Sequence, residues 1–147
     1  MAGTSSRNDP YTSFNFIVDI QGMRAGFSEV GGLSTETDVI EYREGNEDIT
    51  MRKLPGKRKY TPITLKGGLT KDLRLWKWSE EARNGKTRRL PGMITLVNEA
   101  RKPALVWKFY EAWPSKWAGP AFNAKNNEIA IEELNLVVEG LEMESLS

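Results

Sequence analysis

Cysteine and histidine are both absent from the 147 residues, and each absence removes a class of chemistry. Without cysteine there are no disulfides, thiolate metal sites or thiol nucleophiles, and the fold is indifferent to redox compartment. Without histidine the chain lacks the usual proton-transfer group at neutral pH and the commonest zinc ligand, so catalytic, metal and cofactor sites are not expected. Net charge is scarce too: 21 Lys and Arg stand against 20 Asp and Glu. That balance does not suit a general nucleic-acid coat or a polybasic membrane binder. No apolar run approaches the roughly 20 residues of a spanning helix. Met1 to Asp9 is small and polar, unlike a signal peptide, so synthesis in the cytoplasm without a membrane anchor is expected.

What is present reads as one domain, residues 1–147, with 1–10 a flexible N-terminal extension. A chain of this length buries about 70% of its unfolded surface without staples. Phe14, Phe16, Val18 and Ile20 alternate with polar residues as in a half-buried strand. Gly22 and Gly26 bracket a turn before a second strand ending at Gly31 and Gly32, and Thr37 to Arg43 is extended with apolar residues on both faces. Ile63 and Leu65 form a short strand closed by Gly67 and Gly68. Met93 to Val97, then Leu105, Trp107, Phe109 and Trp113, continue the pattern up to Pro114. Between Glu128 and Val138 the alternation slips at Glu132 and Glu133, which suggests a β-bulge. About seven strands and one helix predict a mainly β fold, a sandwich or barrel capped by the helix.

The helix is predicted from Lys71 to Asn84, with Thr70 as N-cap and Gly85 after the C-cap. Leu75, Trp78 and Ala82 share one side, while Leu73 and Trp76 point away from it. A surface helix in a monomer needs a single apolar stripe, so either pair is a candidate for a subunit contact.

Residues 44–61 form a long inter-strand loop rich in charge, Pro and Gly, and structureless loops above about 12–15 residues usually serve binding or are disordered. Its apolar anchors are Ile49, Met51 and Leu54. Charge is segregated around it. Glu29, Glu36, Asp38, Glu41, Glu44, Glu47 and Asp48 face only Arg43 between residues 29 and 48. Arg52, Lys53, Lys57, Arg58 and Lys59 follow at once. From Asn126 onward there are six Glu and no Lys or Arg, whereas residues 71–89 carry seven basic and three acidic groups. Each block alone reads equally well as a solvated face. Together they suggest a head-to-tail contact between copies, which builds rings or filaments.

Other motifs carry no chemistry. Gly67-Gly68-Leu69-Thr70-Lys71 lacks phosphate-loop spacing and reads as a tight strand-to-helix turn. Glu132 and Glu133, as strand neighbours, face opposite ways and make no catalytic pair. Tyr60 beside the basic run invites a single-strand-binding reading, but the aromatics keep core or interface periodicity. Trp113, Pro114, Trp117, Gly119 and Pro120 look like a corner where the chain changes sheets.

The segment Tyr60 to Thr70, then Trp76, Trp107, Ala112 to Trp117 with Gly119 and Pro120, and finally Ala130 to Leu141, resembles the tail-tube protein family of contractile phages and phage-like injection systems. Phe14-Asn15-Phe16, Phe27 to Leu33 and Ile40 to Gly45 resemble the same family's opening, so the likeness covers residues 9–142.

The resemblance implies a structural protein with the phage tail-tube fold: two packed antiparallel sheets with one helix and a long extended loop. Hexameric rings of this family stack into a hollow tube that a contracting sheath drives through an envelope. The implied partners are further copies, sheath protein, baseplate and spike or tip proteins, and DNA or protein cargo in the lumen. Assembly is implied in the bacterial cytoplasm. On the analogy, Glu44, Glu47, Asp48, Ile49, Met51, Arg52, Lys53, Leu54, Lys57, Arg58 and Lys59 reach an adjacent subunit, with Leu73 and Trp76 as a further contact. A permanent interface of this kind buries on the order of 2,000 Å² or more. A baseplate ring that initiates the tube is an alternative within the family. A monomeric barrel that binds nucleic acid or peptide is the alternative outside it.

Overall fold

The computed structural model describes residues 11–42, 45, 52–119, 122–123 and 128–145. The described strands are β1 (Phe16–Ile20), β2 (Met23–Gly31), β3 (Thr35–Tyr42), β4 (Arg52–Tyr60), β5 (Ile63–Thr70), β6 (Leu90–Val97), β7 (Pro103–Ala118), β8 (Phe122–Asn123), β9 (Glu128–Val137) and β10 (Gly140–Ser145). Helix α1 (Leu73–Arg83) lies between β5 and β6. The mainly β architecture with one helix is therefore as expected, with three more strands than the alternation marks.

Six strands close on themselves. Around the ring β1 pairs with β2, β2 with β5, β5 with β9, β9 with β7, β7 with β6 and β6 with β1, all antiparallel. The barrel is filled by alternate residues of those strands, including Val18, Ile20, Phe27, Leu65, Ile94, Phe109, Ile131 and Leu136. Helix α1 adds Leu75 and Trp78 to this core and caps the end of the barrel at the Gln21–Gly22 turn. That two-residue turn has φ of 50° and 88°, the positive pair a tight hairpin demands. Gly26 lies inside β2 and takes no part in it.

The longest strand, β7, makes the corner that the Trp-Pro cluster suggested, but Pro114 does not end it. Over its first half β7 pairs with β6 and β10. Glu111, at φ 55°, sits where the β6 register slips between Leu90 and Gly92. Beyond it, Trp113 to Ala118 pair with β9, with a second slip between Pro114 and Lys116. Bulges bend a strand and increase its twist, and one of them is where a proline is tolerated inside a sheet.

The bulge therefore belongs to β7, not to Glu132–Glu133 in β9, where the pairing with β5 stays in register. The change of face in β9 lies opposite Gly67, which has φ 64° inside β5. Gly67 and Gly68 accordingly sit within a continuous strand and form no strand-to-helix turn.

The helix N-cap is Asp72, not Thr70: the Asp72 side chain accepts from the Arg74 backbone N–H at 2.9 Å. Thr70 is fully buried instead. Its hydroxyl donates to the Arg24 carbonyl at 2.6 Å and accepts from the Asp72 N–H at 3.0 Å, tying β5 and the helix entry to β2. Asn84 closes the helix and Gly85 follows at φ 87°, as the C′ position favours.

Candidate assembly surfaces

Half of the expected loop is a strand. Arg52–Tyr60 pairs antiparallel with β3 from Thr35↔Tyr60 to Tyr42↔Arg52, giving a second, two-stranded sheet that projects from the barrel as an arm. The arm starts where β2 ends and returns at the start of β5, and β3 and β4 make their extensive contact only with each other. Glu44, Glu47, Asp48, Ile49 and Met51 lie outside the described residues, as do Pro120 and the segment 1–10.

The arm exposes grease that its own chain leaves uncovered. Val39 is 63% exposed, Ile40 52%, Tyr42 45% and Leu54 45%. Ile40 and Leu54 are direct cross-strand partners, with Tyr42 two residues on along the same face. Val39, Ile40 and Tyr42 were not among the sequence candidates, although adjacent apolar residues on both faces of an extended segment are the signal that could have found them.

The charge blocks are brought together differently from expectation. Glu36 pairs with Lys59 and Glu41 with Lys53 in register, and Lys59 Nζ lies 3.1 Å from Asp38 Oδ1. Much of the acidic and basic segregation along the sequence is thus cross-strand pairing within one hairpin. Arg52, Lys53, Lys57 and Arg58 remain exposed on β4.

On α1, Leu75 and Trp78 face inward, and the Trp78 indole N–H donates to the Arg88 carbonyl at 2.8 Å. Trp76 is half-covered by its own chain. Its ring meets Trp117 of β7 edge-on at 5.1 Å between centroids, and the Arg83 guanidinium lies 4.6 Å from its ring centre. Leu73 stays 48% exposed, so of the outward pair it is the one left free for a partner. Trp107 packs against the barrel core and Pro114 is buried. A Cβ at Gly119 would lie 2.7 Å from the Ala130 carbonyl oxygen, so that position needs glycine for close strand approach.

Two carboxyl groups are displaced by basic neighbours. The Asp72 carboxyl is held below the ordinary carboxylate range, chiefly by the Arg74 guanidinium 2.6 Å away. Lys116, 3.2 Å from Glu133, lowers that carboxyl likewise. Both are ion pairs of a structural kind. Among the described residues no cluster of three acidic side chains could hold a metal, and no helix is long and apolar enough to cross a membrane.

A barrel capped by one helix, with a long two-stranded arm, is the geometry to compare with known proteins. The family model of the T4-like virus tail tube protein gp19 matches residues 12–142. The chain belongs to this tail tube protein family. As a tail tube protein it is 28% identical to a chain of the PVC sheath-tube complex of an extracellular contractile injection system in its extended state. That alignment covers 97% of this chain and 98% of the other, with a TM-score of 0.69. A chain of the anti-feeding prophage tube-terminating cap is 27% identical over 99% of both, with a TM-score of 0.65. Hcp1 from Flavobacterium johnsoniae shares the fold at 14% identity, covering 90% of this chain and 96% of that one, with a TM-score of 0.52. No curated protein matches the tail tube chain.

Proposed function

We propose that this tail tube protein is the inner-tube subunit of a contractile injection particle, in which six copies close a ring and rings stack into a hollow tube. The observation that carries the proposal is the β3–β4 arm, whose apolar face of Ile40, Leu54 and Tyr42 has no cover on its own chain. Large exposed apolar residues clustered on one element mark a docking surface, and the arm is a separate two-stranded sheet whose residues are mostly exposed. The relatives described above come from an extracellular contractile injection system and an anti-feeding prophage, which favours that kind of particle over a phage tail.

Mechanically, a tube pushed along its axis carries load through many parallel contacts, a task suited to interlocked sheets. The sheath grips the outside, baseplate and tip proteins close one end, and the lumen passes cargo. Outward alternates of the barrel strands supply a polar, mixed-sign lining. Asp19 lies between Arg24 of β2 and Met93 of β6, and Met93 pairs with Lys108 of β7. Neighbouring charges of opposite sign give a passing chain no patch of one sign to adhere to.

Electron microscopy of the purified protein tests the proposal. Six-fold rings or hollow rods are expected. Dispersed monomers at high concentration and low salt, with affinity for oligonucleotides, would instead identify a nucleic-acid-binding barrel.

A further inference from the structure

The outward face of the barrel holds a cleft where two positive charges converge on an apolar floor. Ile17 of β1 stands across from Thr95 of β6, and Val97 follows two residues on along the same face. With Pro103 at the start of β7 they line a cleft of about 540 Å³, which Arg24 of β2 and Arg101 of the β6–β7 turn also border. Ile17, Thr95 and Val97 are half-buried, so part of that floor is open to a ligand.

Both guanidiniums are held at Tyr11. Arg101 donates from Nη1 to the Phe14 carbonyl at 2.9 Å and from Nη2 to the Tyr11 carbonyl at 3.3 Å. The Arg24 guanidinium lies 5.5 Å from the centre of the Tyr11 ring. Tyr11 is itself fixed: it is buried, and its hydroxyl donates to the Arg24 carbonyl at 3.2 Å and accepts from the Lys71 N–H at 3.2 Å. Carbonyls and a ring orient a cation without cancelling its charge. Neither arginine makes an ion pair among the described residues. Asp19, across the ladder from Arg24, gives its carboxylate to the Gly22 N–H at 2.8 Å.

Arg101 also holds an uncommon backbone conformation. Its φ is 62°, in the left-handed region that glycine or asparagine adopts more readily. The turn is closed by the Arg101 N–H on the Asn98 carbonyl at 2.9 Å and by the Lys102 N–H on Asn98 Oδ1 at 3.0 Å. Strain of this kind gathers where one side chain is needed in one place, and only two of the five guanidinium N–H donors are spent on the carbonyls.

We propose that this cleft binds a polypeptide segment in which a carboxylate side chain is flanked by an aliphatic one, with the carboxylate on Arg24 and Arg101 and the aliphatic group on Ile17 and Val97. Planar guanidinium forks match a carboxylate in shape and charge. A nucleic-acid strand is disfavoured, because single-strand recognition stacks bases on aromatic rings and none of the residues lining the cleft is aromatic. The cleft shares its barrel face with Asp19, so the inner-tube reading, on which its placement rests, turns it toward the lumen. Six copies then repeat a weak site around the channel, and a chain engaging several of them is held more firmly than one site allows.

Ligand-observed NMR titration of the purified full chain with the peptide acetyl-Leu-Glu-Leu amide tests the assignment. Saturable binding is expected, at least tenfold weaker for acetyl-Leu-Gln-Leu amide and at least tenfold weaker in R24Q or R101Q. K108Q, on the same barrel face but outside the cleft, should bind as wild type does. R24Q alters an exposed side chain and keeps the carbonyl that Tyr11 and Thr70 use, so it decides the matter if R101Q fails to fold. Equal binding of the two peptides, or an unchanged affinity in R24Q, would overturn the site. A short oligothymidylate that binds wild type but not R24Q, where the peptide does not bind, would overturn it in favour of a phosphate site. Rods that form without peptide binding would leave the inner-tube proposal standing and remove this one. Peptide binding by a protein that makes neither rings nor rods would keep the site and overturn the tube.

Discussion

Phe27 lies directly across from Gly68 in the β2–β5 ladder, and its ring occupies the space that a side chain at Gly68 would need: a Cβ there would fall 2.3 Å from the ring. Phe109 covers Gly92 in the same way, where a Cβ would fall 2.5 Å from the ring. An aromatic folded over a cross-strand glycine fixes register and lets the barrel wall curve.

Gly68→Ala is therefore expected to destabilise the subunit by about 1–3 kcal/mol, because the fully buried Phe27 has nowhere to move. Gly31→Ala is the control. A Cβ there meets nothing within 4 Å, so its denaturation midpoint should stay within about 0.5 kcal/mol of wild type. Urea unfolding of both variants measures the difference, and equal losses would show that the glycine–aromatic pair does not set the packing.

The cap of α1 gives a prediction with a pH sign. Asp72→Ala should cost about 1 kcal/mol, or about 2–4 °C in thermal midpoint for a chain of this size. Because the Asp72 carboxyl is lowered by Arg74, its contribution is complete above the ordinary carboxylate range, near pH 4. It is lost as pH falls through the lowered value. The stability advantage of wild type over Asp72→Asn should consequently shrink on acidification below about pH 4, as followed by circular dichroism. An advantage that grows there would show that Asp72 is not held ionised by Arg74.

The two tryptophans of α1 should separate clearly. Trp78 is 1% exposed and hydrogen-bonded, and its replacement by Ala is expected to cost about 3–5 kcal/mol. Trp76, whose ring contacts among the described residues are Trp117 and Arg83, should cost about 1–2 kcal/mol. Chemical denaturation distinguishes them. A Trp76 loss as large as that of Trp78 would mean that the outward face of the helix is packed as tightly as the core.

Reversing Lys57, Arg58 and Lys59 to Glu places acid opposite Glu36 and beside Asp38, inside the arm. The expected result is faster amide exchange across Arg52–Tyr60, while the barrel melts within about 2 °C of wild type, since exposed pairs contribute about 0–1 kcal/mol each. Adding Glu36→Lys should slow that exchange again. An unchanged arm in the triple variant would assign those charges to a partner rather than to the hairpin.

Part of the barrel was legible because alternation in β1 and in each half of β9 tracks a buried face. In β7 the buried positions are Val106, Phe109, Ala112 and Pro114, so the alternation of Leu105, Trp107, Phe109 and Trp113 marked the strand but not its inward face. The two-faced helix was equally plain from Leu73, Leu75, Trp76 and Trp78. The arm was not. Its β4 strand, with five Lys or Arg and the pair Pro55-Gly56, has the composition of a loop, and only pairing with β3 makes it a strand. Edge strands carry Lys and Pro for the physical reason that these discourage further pairing. The N-cap was misplaced by two residues because a buried Thr70 and a capping threonine look alike in sequence, and only the packing of β5 on β2 separates them. Trp76 read as exposed because its cover, Trp117, comes from a strand 41 positions away in the chain.

That identical copies cover the arm is tested most directly by hydrogen exchange of Thr35–Tyr42 and Arg52–Tyr60 in the assembled and the dispersed protein. Slowing of these amides by at least tenfold on assembly, with the barrel amides little changed, is the expected outcome. Arm amides that exchange in the assembly as fast as in the free subunit would show that the exposed face of Ile40, Tyr42 and Leu54 serves no contact between copies.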